Sequence, residues 1–325
     1  MKAAAAQLMW KKQGLLYGPE RLGPLARHPY LKTHFANPLA IHIESDVFRI
    51  YYSGRDEKNR SSVGAVDIDI ARREIVREYA EPFFVFGGPG SFFSAGVSIG
   101  CVYEVGDKRY MLFMGWQNES GRHWRGDIGR LILDWKGGLS LDREFAVIGV
   151  GGPDPLSLSY PWVEKLTHGG YRMWYGSTLS WDAGNSEMLH VLHGADSNDG
   201  HIWRKSGLAV PYIIGEVQAF SRPTVLRLSS KQMSGEEWAM WFSYRGGSDS
   251  KYRIGCARSR DGVTWRLANE NVGIAVSPEG WDSEMIEYPF VFRHKERIYM
   301  LYNGNSYGGS GFGLAVLEAS RDEGL

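Results

Sequence analysis

The chain has 325 residues with 37 basic and 37 acidic side chains, a balance that argues against a nucleic-acid or polybasic membrane surface as its main partner. Twelve tryptophans, 17 tyrosines and 41 glycines fit many strands joined by tight turns, and no stretch approaches the roughly 18 apolar residues of a membrane helix. One Lys, four Ala and Gln7 are followed at once by Lys11 and Lys12 with no clear cleavage site, so a cytoplasmic location without membrane insertion is expected.

The first legible element is MWKKQGLLYGP at 9–19. It repeats IWRKSGLAVP at 202–211, aligning Trp10 with Trp203, Lys11 with Arg204, Lys12 with Lys205, Gly14 with Gly207 and Leu15 with Leu208. Next comes NPLAIHIESDVFRIYYSGR (37–55), which reads as strand, turn and strand, and SSVGAVDID (61–69) supplies a third strand. The pattern returns in GCVYEVGDKRYMLFMGW (100–116), YPWVEKLTHGGYRMWYGS (160–177), RPTVLRLSSKQMSGEEWAMWFSYR (222–245) and YPFVFRHKERIYMLYNGN (288–305). Anchoring the five copies on Pro38, Gly100, Pro161, Pro223 and Pro289 gives spacings of 62, 61, 62 and 66 residues. YRIGCARS (252–259) is another third strand, and HIWRKS and VTWRLA start fourth strands.

No window of helical length carries a 3.6-residue period. A four-stranded unit repeated five times predicts an all-β fold, a five-bladed β-propeller of four antiparallel strands per blade, built from residues 1–325 as one domain. A sandwich would not explain a period near 62. The last copy stops at SRDEGL (320–325), where its relatives SNDGHIW (197–203) and SRDGVTW (259–265) run on to a tryptophan. The N-terminal segment, about residues 9–17, is therefore expected to supply the outer strand of the last blade. The Asp-Gly motifs join third and fourth strands and read as turn chemistry rather than as sites. Cys101 and Cys256 fall in different units and read as free thiols.

The chemistry is expected on the face where the innermost strands begin. Seven residues before the anchors stand Leu31, Phe93, Asp154, Glu216 and Asp282; two before them stand Ala36, Ser98, Ser159, Ser221 and Glu287. WDSEMIEYPF thus carries Asp282, Glu284 and Glu287 in one copy, an asymmetry that a purely structural repeat does not need. A buried carboxylate costs several kcal/mol unless paired, so Glu287 on a channel strand reads as functional. The loops between second and third strands reach the same face with Arg55, Arg60, Trp116, Trp124, Trp181, Arg245, Asn305 and Tyr307. Aromatic faces, guanidinium forks, amides and carboxylates around a funnel suit a sugar. Asn37, Asp154, Glu216 and Arg222 complete the expected substrate-binding set. His190 and His193 lack metal-ligand spacing and GGPG (87–90) lacks a phosphate-loop context, so neither a metal nor a cofactor is expected.

The anchored strands and the S-x-D-G-x-x-W turns resemble the five-bladed propeller glycosidase superfamily of arabinanases, β-xylosidases, invertases, levansucrases and mannoside phosphorylases. GRDEKNRS, RIGCARSRDGVTW and WDSEMIEYPFVF…YMLYNGNSYGGSGFG resemble a bacterial glycosidase-like group associated with polysaccharide or glycoconjugate synthesis. The resemblance implies action at an anomeric centre. It also implies an Asp directly before the first anchor and an E-x-P acid in the third copy. Here those positions hold Asn37 and Ser159, and E-x-P occurs instead at Glu287. The expectation is hydrolysis, phosphorolysis or transfer on a small, possibly phosphorylated or nucleotide-linked sugar. Glu287, Asp282 and Glu284 are then the reacting acids, with Arg55, Arg60 and Arg245 on an anionic group. The alternative is a non-catalytic sugar-binding scaffold. Oligomeric state stays open.

Overall fold

The computed structural model describes residues 8–25, 27–118, 121–228, 237–246 and 249–318. The truncated motif at 320–325 and the long turn at 229–236 lie outside these residues.

Strand β1 (Met9–Tyr17) precedes five consecutive units. The first is β2 (Thr33–Glu44), β3 (Val47–Arg55), β4 (Ser61–Asp69) and β5 (Glu74–Glu78), and the second β6 (Gly96–Val105), β7 (Lys108–Gln117), β8 (Arg125–Leu133) and β9 (Leu139–Leu141). The third is β10 (Ser157–Lys165), β11 (Tyr171–Ser180), β12 (Leu189–Ser197) and β13 (Arg204–Leu208). The fourth is β14 (Ser221–Leu228), β15 (Glu237–Gly246), β16 (Asp249–Ser259) and β17 (Arg266–Leu267). The fifth has β18 (Glu287–His294), β19 (Arg297–Asn303) and β20 (Phe312–Glu318), and β1 pairs antiparallel with β20 to complete it. The innermost strands touch in the cyclic order β2, β6, β10, β14, β18 and back to β2. That ring makes the five arrays the blades of a propeller. Among the described residues helix is confined to three short 3₁₀ turns, and no helix is long and apolar enough to cross a membrane.

The N-terminal strand closes the ring as its sequence predicts. Gly14 and Gly207, aligned above, both take positive φ (91° and 81°), and both sit at register shifts against the neighbouring third strand. The same local bulge therefore recurs in the outer strand of two blades. Trp10 packs edge-on against Trp241 in the adjacent blade. Further tryptophans, Trp174, Trp238 and Trp265, pack together between blades three and four.

The Asp-Gly turns behave as punctuation. Asp199 accepts from the backbone of His201 and Ile202, and Asp261 from that of Val263 and Thr264. These backbone bonds hold both carboxyls down at about 2. In each turn the serine hydroxyl accepts from the glycine N–H at 2.9 Å.

Candidate functional site

Each anchor marks a β-bulge on an innermost strand. Register breaks between Ala36 and Leu39, Ile99 and Val102, Ser159 and Trp162, Ser221 and Thr224, and Glu287 and Phe290. Proline has no N–H to give a ladder, so it is tolerated at such a break. The residue before each proline then takes a left-handed conformation, with φ of 57° at Asn37, 27° at Tyr160, 47° at Arg222 and 52° at Tyr288. For non-glycine residues this is uncommon, and bulges of this kind re-aim side chains. Here they send them across the axis. Arg222 of blade four donates to Tyr288 O (2.7 Å) in blade five and to Asn37 O (3.1 Å) and Pro38 O (2.8 Å) in blade one. Tyr160 and Tyr288, from blades that are not neighbours, bring their rings within 5.4 Å. Both terminal nitrogens of Arg222 are engaged in bolting the channel, which corrects its expected role in substrate binding. Burial pulls its pKa down to about 9, still cationic at neutral pH.

Glu287 opens β18 beside this plug. It is fully buried, and neither carboxyl oxygen has a hydrogen-bond partner among the described residues. Burial pushes its pKa well above the usual carboxylate range, against the opposing pull of Arg245 and Arg55. Asn303 pairs with Glu287 in the β18–β19 ladder, and its side-chain oxygen accepts from Asn37 N at 2.9 Å. The Asn37 side-chain amide nitrogen is buried and likewise without a partner. A spare amide donor and a carboxyl with both oxygens spare thus flank Asn303. Buried polar groups are nearly always satisfied, so unpaired ones on a channel wall point to a ligand or solvent site.

The two cations that act on Glu287 come from different blades. Arg245 Nη2 donates to Glu187 Oε1 at 3.0 Å, Nη1 reaches Tyr307 OH at 3.3 Å, and the guanidinium lies over the Tyr252 ring. Arg55 enters from blade one and donates to Asn59 Oδ1 at 2.8 Å. Burial, then Arg55, lowers the neighbouring His34 to about 4, so that imidazole is neutral. Sequence does not single out Glu187, because a loop carboxylate looks the same whether it is solvated or paired across blades.

Several expected site residues have structural roles. Asp282 is bound by Lys12 Nζ at 2.7 Å and Tyr302 OH at 3.0 Å, a buried knot between β1 and blade five. Asp154 is held likewise by Lys205 Nζ (2.8 Å), Tyr175 OH (2.9 Å) and His193 Nδ1 (2.8 Å). A turn at Gly280–Ser283 sets Asp282 toward Lys12 while Glu284 pairs with Lys251 on the surface. The three carboxylates of WDSEMIEYPF therefore do not converge. Arg60 pairs with Asp56 (2.8 Å) and stacks on Phe86, and Trp116 donates to Ser61 Oγ at 3.0 Å. Asn305 braces the loop through the backbone of Glu284, Met285 and Gly280, and Glu216 sits exposed in a turn closed by Ile213 O.

Trp124 and Trp181 do come together. Their rings meet edge-on at 5.2 Å, His123 stacks on Trp181 at 4.4 Å, and Gln117, Arg125 and Leu156 help line a cleft of about 460 Å³. Beneath Trp124 lies His190, bonded to Ser159 Oγ and Thr178 Oγ1, each at 2.7 Å. Burial drops this imidazole to about 3, so it is neutral.

Two Mycobacterium tuberculosis proteins, Rv1502 and MT1551, are each 42% identical to the chain over 314 residues, covering 96% of this chain and all of theirs. The chain belongs to their family. No family model matches it. Solved structures share the fold at low identity. A glycoside hydrolase superposes with TM-score 0.71 at 12% identity, covering 96% of this chain and 92% of its own. The catalytic domain of a Coprinopsis cinerea GH62 α-L-arabinofuranosidase gives 0.64 at 12% (97% and 98%), and a Bacteroides thetaiotaomicron endo-arabinase gives 0.59 at 14% (90% and 96%). These likenesses show that this chain shares the fold of those proteins. Function rests on the site itself.

Proposed function

We propose that the protein acts on a sugar or glycoconjugate at an anomeric centre, with Glu287 as the acid that meets the glycosidic oxygen. The observation that carries this is a carboxyl wholly buried on a channel strand with both oxygens unpartnered. A carboxyl kept protonated by its surroundings is suited to give a proton to a leaving group. Asn37, on the opposite side of Asn303, has an amide donor to orient a hydroxyl. The cleft at Trp124 and Trp181 offers aromatic surface to the remainder of a glycoconjugate. The three superposed proteins are a glycoside hydrolase, an arabinofuranosidase and an arabinase, which agrees with this class of ligand. The resemblance to a group tied to glycoconjugate synthesis suggests the same setting here.

One observation favours a second reading, a non-catalytic sugar-binding propeller. With Asp282 and Asp154 held in lysine knots and Asn37 in place of an acid, no second carboxylate stands bare beside Glu287 among the described residues. Activity on a panel of sugar phosphates, nucleotide sugars and aryl glycosides separates the two. The enzyme reading expects turnover that Glu287→Gln cuts by about 10²–10⁴-fold with binding retained. Binding without turnover across the panel, unchanged by that substitution, would favour the scaffold.

A further inference from the structure

The residue directly opposite Glu287 spends its hydrogen bonds elsewhere. Glu287 and Asn303 are partners in the β18–β19 ladder. Side chains opposite each other in an antiparallel pair share one face of the sheet, with Cβ atoms about 5 Å apart. Asn303 is fully buried, and its amide nitrogen donates to Phe35 O in blade one and to Gly311 O just before β20, each at 2.8 Å. Its oxygen accepts from Asn37 N at 2.9 Å. A backbone N–H and two carbonyls have fixed roles, so they settle which end of the amide is which. Both N–H groups are used, and none remains for Glu287. The side chain has no room to swing: a Cβ on Gly308 would lie 2.9 Å from the Asn303 amide nitrogen and 2.8 Å from Ala36 Cα.

The other blades show what this position requires. The second-strand residue facing Ala36 is Ser53, and the one facing Ser221 is Ser243. Ser53 Oγ accepts from Ile99 N at 3.3 Å and Ser243 Oγ from Tyr288 N at 2.7 Å, in each case the residue before the next blade's anchor. Asn37 is that residue in blade one, so Asn303 makes the same inter-blade stitch. Met114 and Gly176 hold the place in blades two and three. A hydroxyl therefore suffices to join neighbouring blades. Only the blade that carries the buried acid has a carboxamide there.

We propose that Asn303 is the positioning residue of this site: it locks the left-handed backbone of Asn37, whose own amide stays spare, and it directs its N–H groups away from Glu287, so that the carboxyl keeps its hydrogen-bonding capacity for a ligand. This rests on the reading of Glu287 as an acid that meets a ligand. An acid already bonded to a neighbour surrenders that bond when a ligand arrives, whereas a bare one only gains.

The test reads the Glu287 carbonyl band at pH 7 by infrared spectroscopy of the full-length protein, each spectrum being the difference from the same protein carrying Glu287→Gln. Asn303→Ser keeps an acceptor of the kind that blades one and four use, but opens space beside Glu287. Its band is expected at lower frequency than the wild type's, because the carboxyl gains hydrogen bonds. Ser53→Ala, which removes the stitch between blades one and two, is expected to lower the melting temperature and leave the band in place. A band at the wild-type position in Asn303→Ser, or one moved as far by Ser53→Ala, overturns the positioning role. If Asn303→Ser does not fold, Asn303→Asp, which keeps the shape and the acceptor but has no N–H, is read by the same criterion. A wild-type spectrum without a protonated-carboxyl band overturns the reading of Glu287 itself and this proposal with it, an outcome distinct from a band that is present and does not move.

Discussion

Lys12 places its ammonium 2.7 Å from Asp282, 270 positions later in the chain, and Lys205 does the same for Asp154 at 2.8 Å. In both cases a tyrosine of the blade's second strand, Tyr302 or Tyr175, bonds the same carboxylate oxygen. One structural knot is thus used twice: once inside blade three, once to fasten the N-terminal strand into blade five.

The Lys12 knot sets the strength of ring closure. Lys12→Met leaves a buried carboxylate with only a hydroxyl partner, and removing one member of a buried pair costs about 3 kcal/mol or more. Urea denaturation of the variant is expected to show that loss with an unchanged m-value. A loss within error of zero would show that β1 is held by its ladder and Trp10 alone.

Acid should loosen the knot in blade three. Burial raises Asp154, but the bonds from His193, Lys205 and Tyr175 outweigh it and hold the carboxyl at about 2. A folded-state pKa below the unfolded value gives stability that is present above about pH 4 and is lost as pH falls toward 2. Melting temperature followed from pH 5 to 2 should decline through this window, and Asp154→Asn should flatten the slope while lowering stability at neutral pH.

Glu287 has the opposite sign. Its pKa is raised by burial, so the folded state holds a proton that the unfolded state releases above about pH 4.3, and stability falls as pH rises from there. Glu287→Gln removes that loss. The variant should melt higher than the wild type at pH 7, with the gap closing as pH drops to 4. A variant less stable than wild type at every pH would make Glu287 a structural anchor.

The repeat was legible because each blade carries proline or glycine at its bulge, which leaves a fixed mark in the sequence. Ring closure was legible because Trp10, Lys12 and Gly14 duplicate Trp203, Lys205 and Gly207. Asp282 and Asp154 misled because a carboxylate at a channel mouth looks alike whether it meets a ligand or a lysine from the outer strand. The signal was available: alignment equated Lys12 with Lys205 and Asp282 with Asp154, and equivalent positions that pair once pair twice. The Glu187–Arg245 pair had no such signal, since it joins loops of two blades whose sequences do not repeat.

Trp181 serves binding rather than folding in this account. It is half-buried in a loop, stacked on His123. Trp181→Ala should weaken an extended glycoconjugate about tenfold, as loss of one aromatic face does, while a monosaccharide and the melting temperature stay near wild type. Equal weakening of both ligands would place the aromatic cleft inside the sugar chamber.

The central claim is that Glu287 is a neutral acid with unused hydrogen-bonding capacity, and infrared difference spectroscopy reads it without knowledge of the substrate. The spectrum of wild type minus Glu287→Gln at pH 7 should contain the carbonyl band of a protonated carboxyl, at the high frequency of one with few hydrogen bonds, and the band should move when ligand is added. A difference spectrum showing only the ionised carboxylate bands, unaltered by any ligand that binds, would contradict the account.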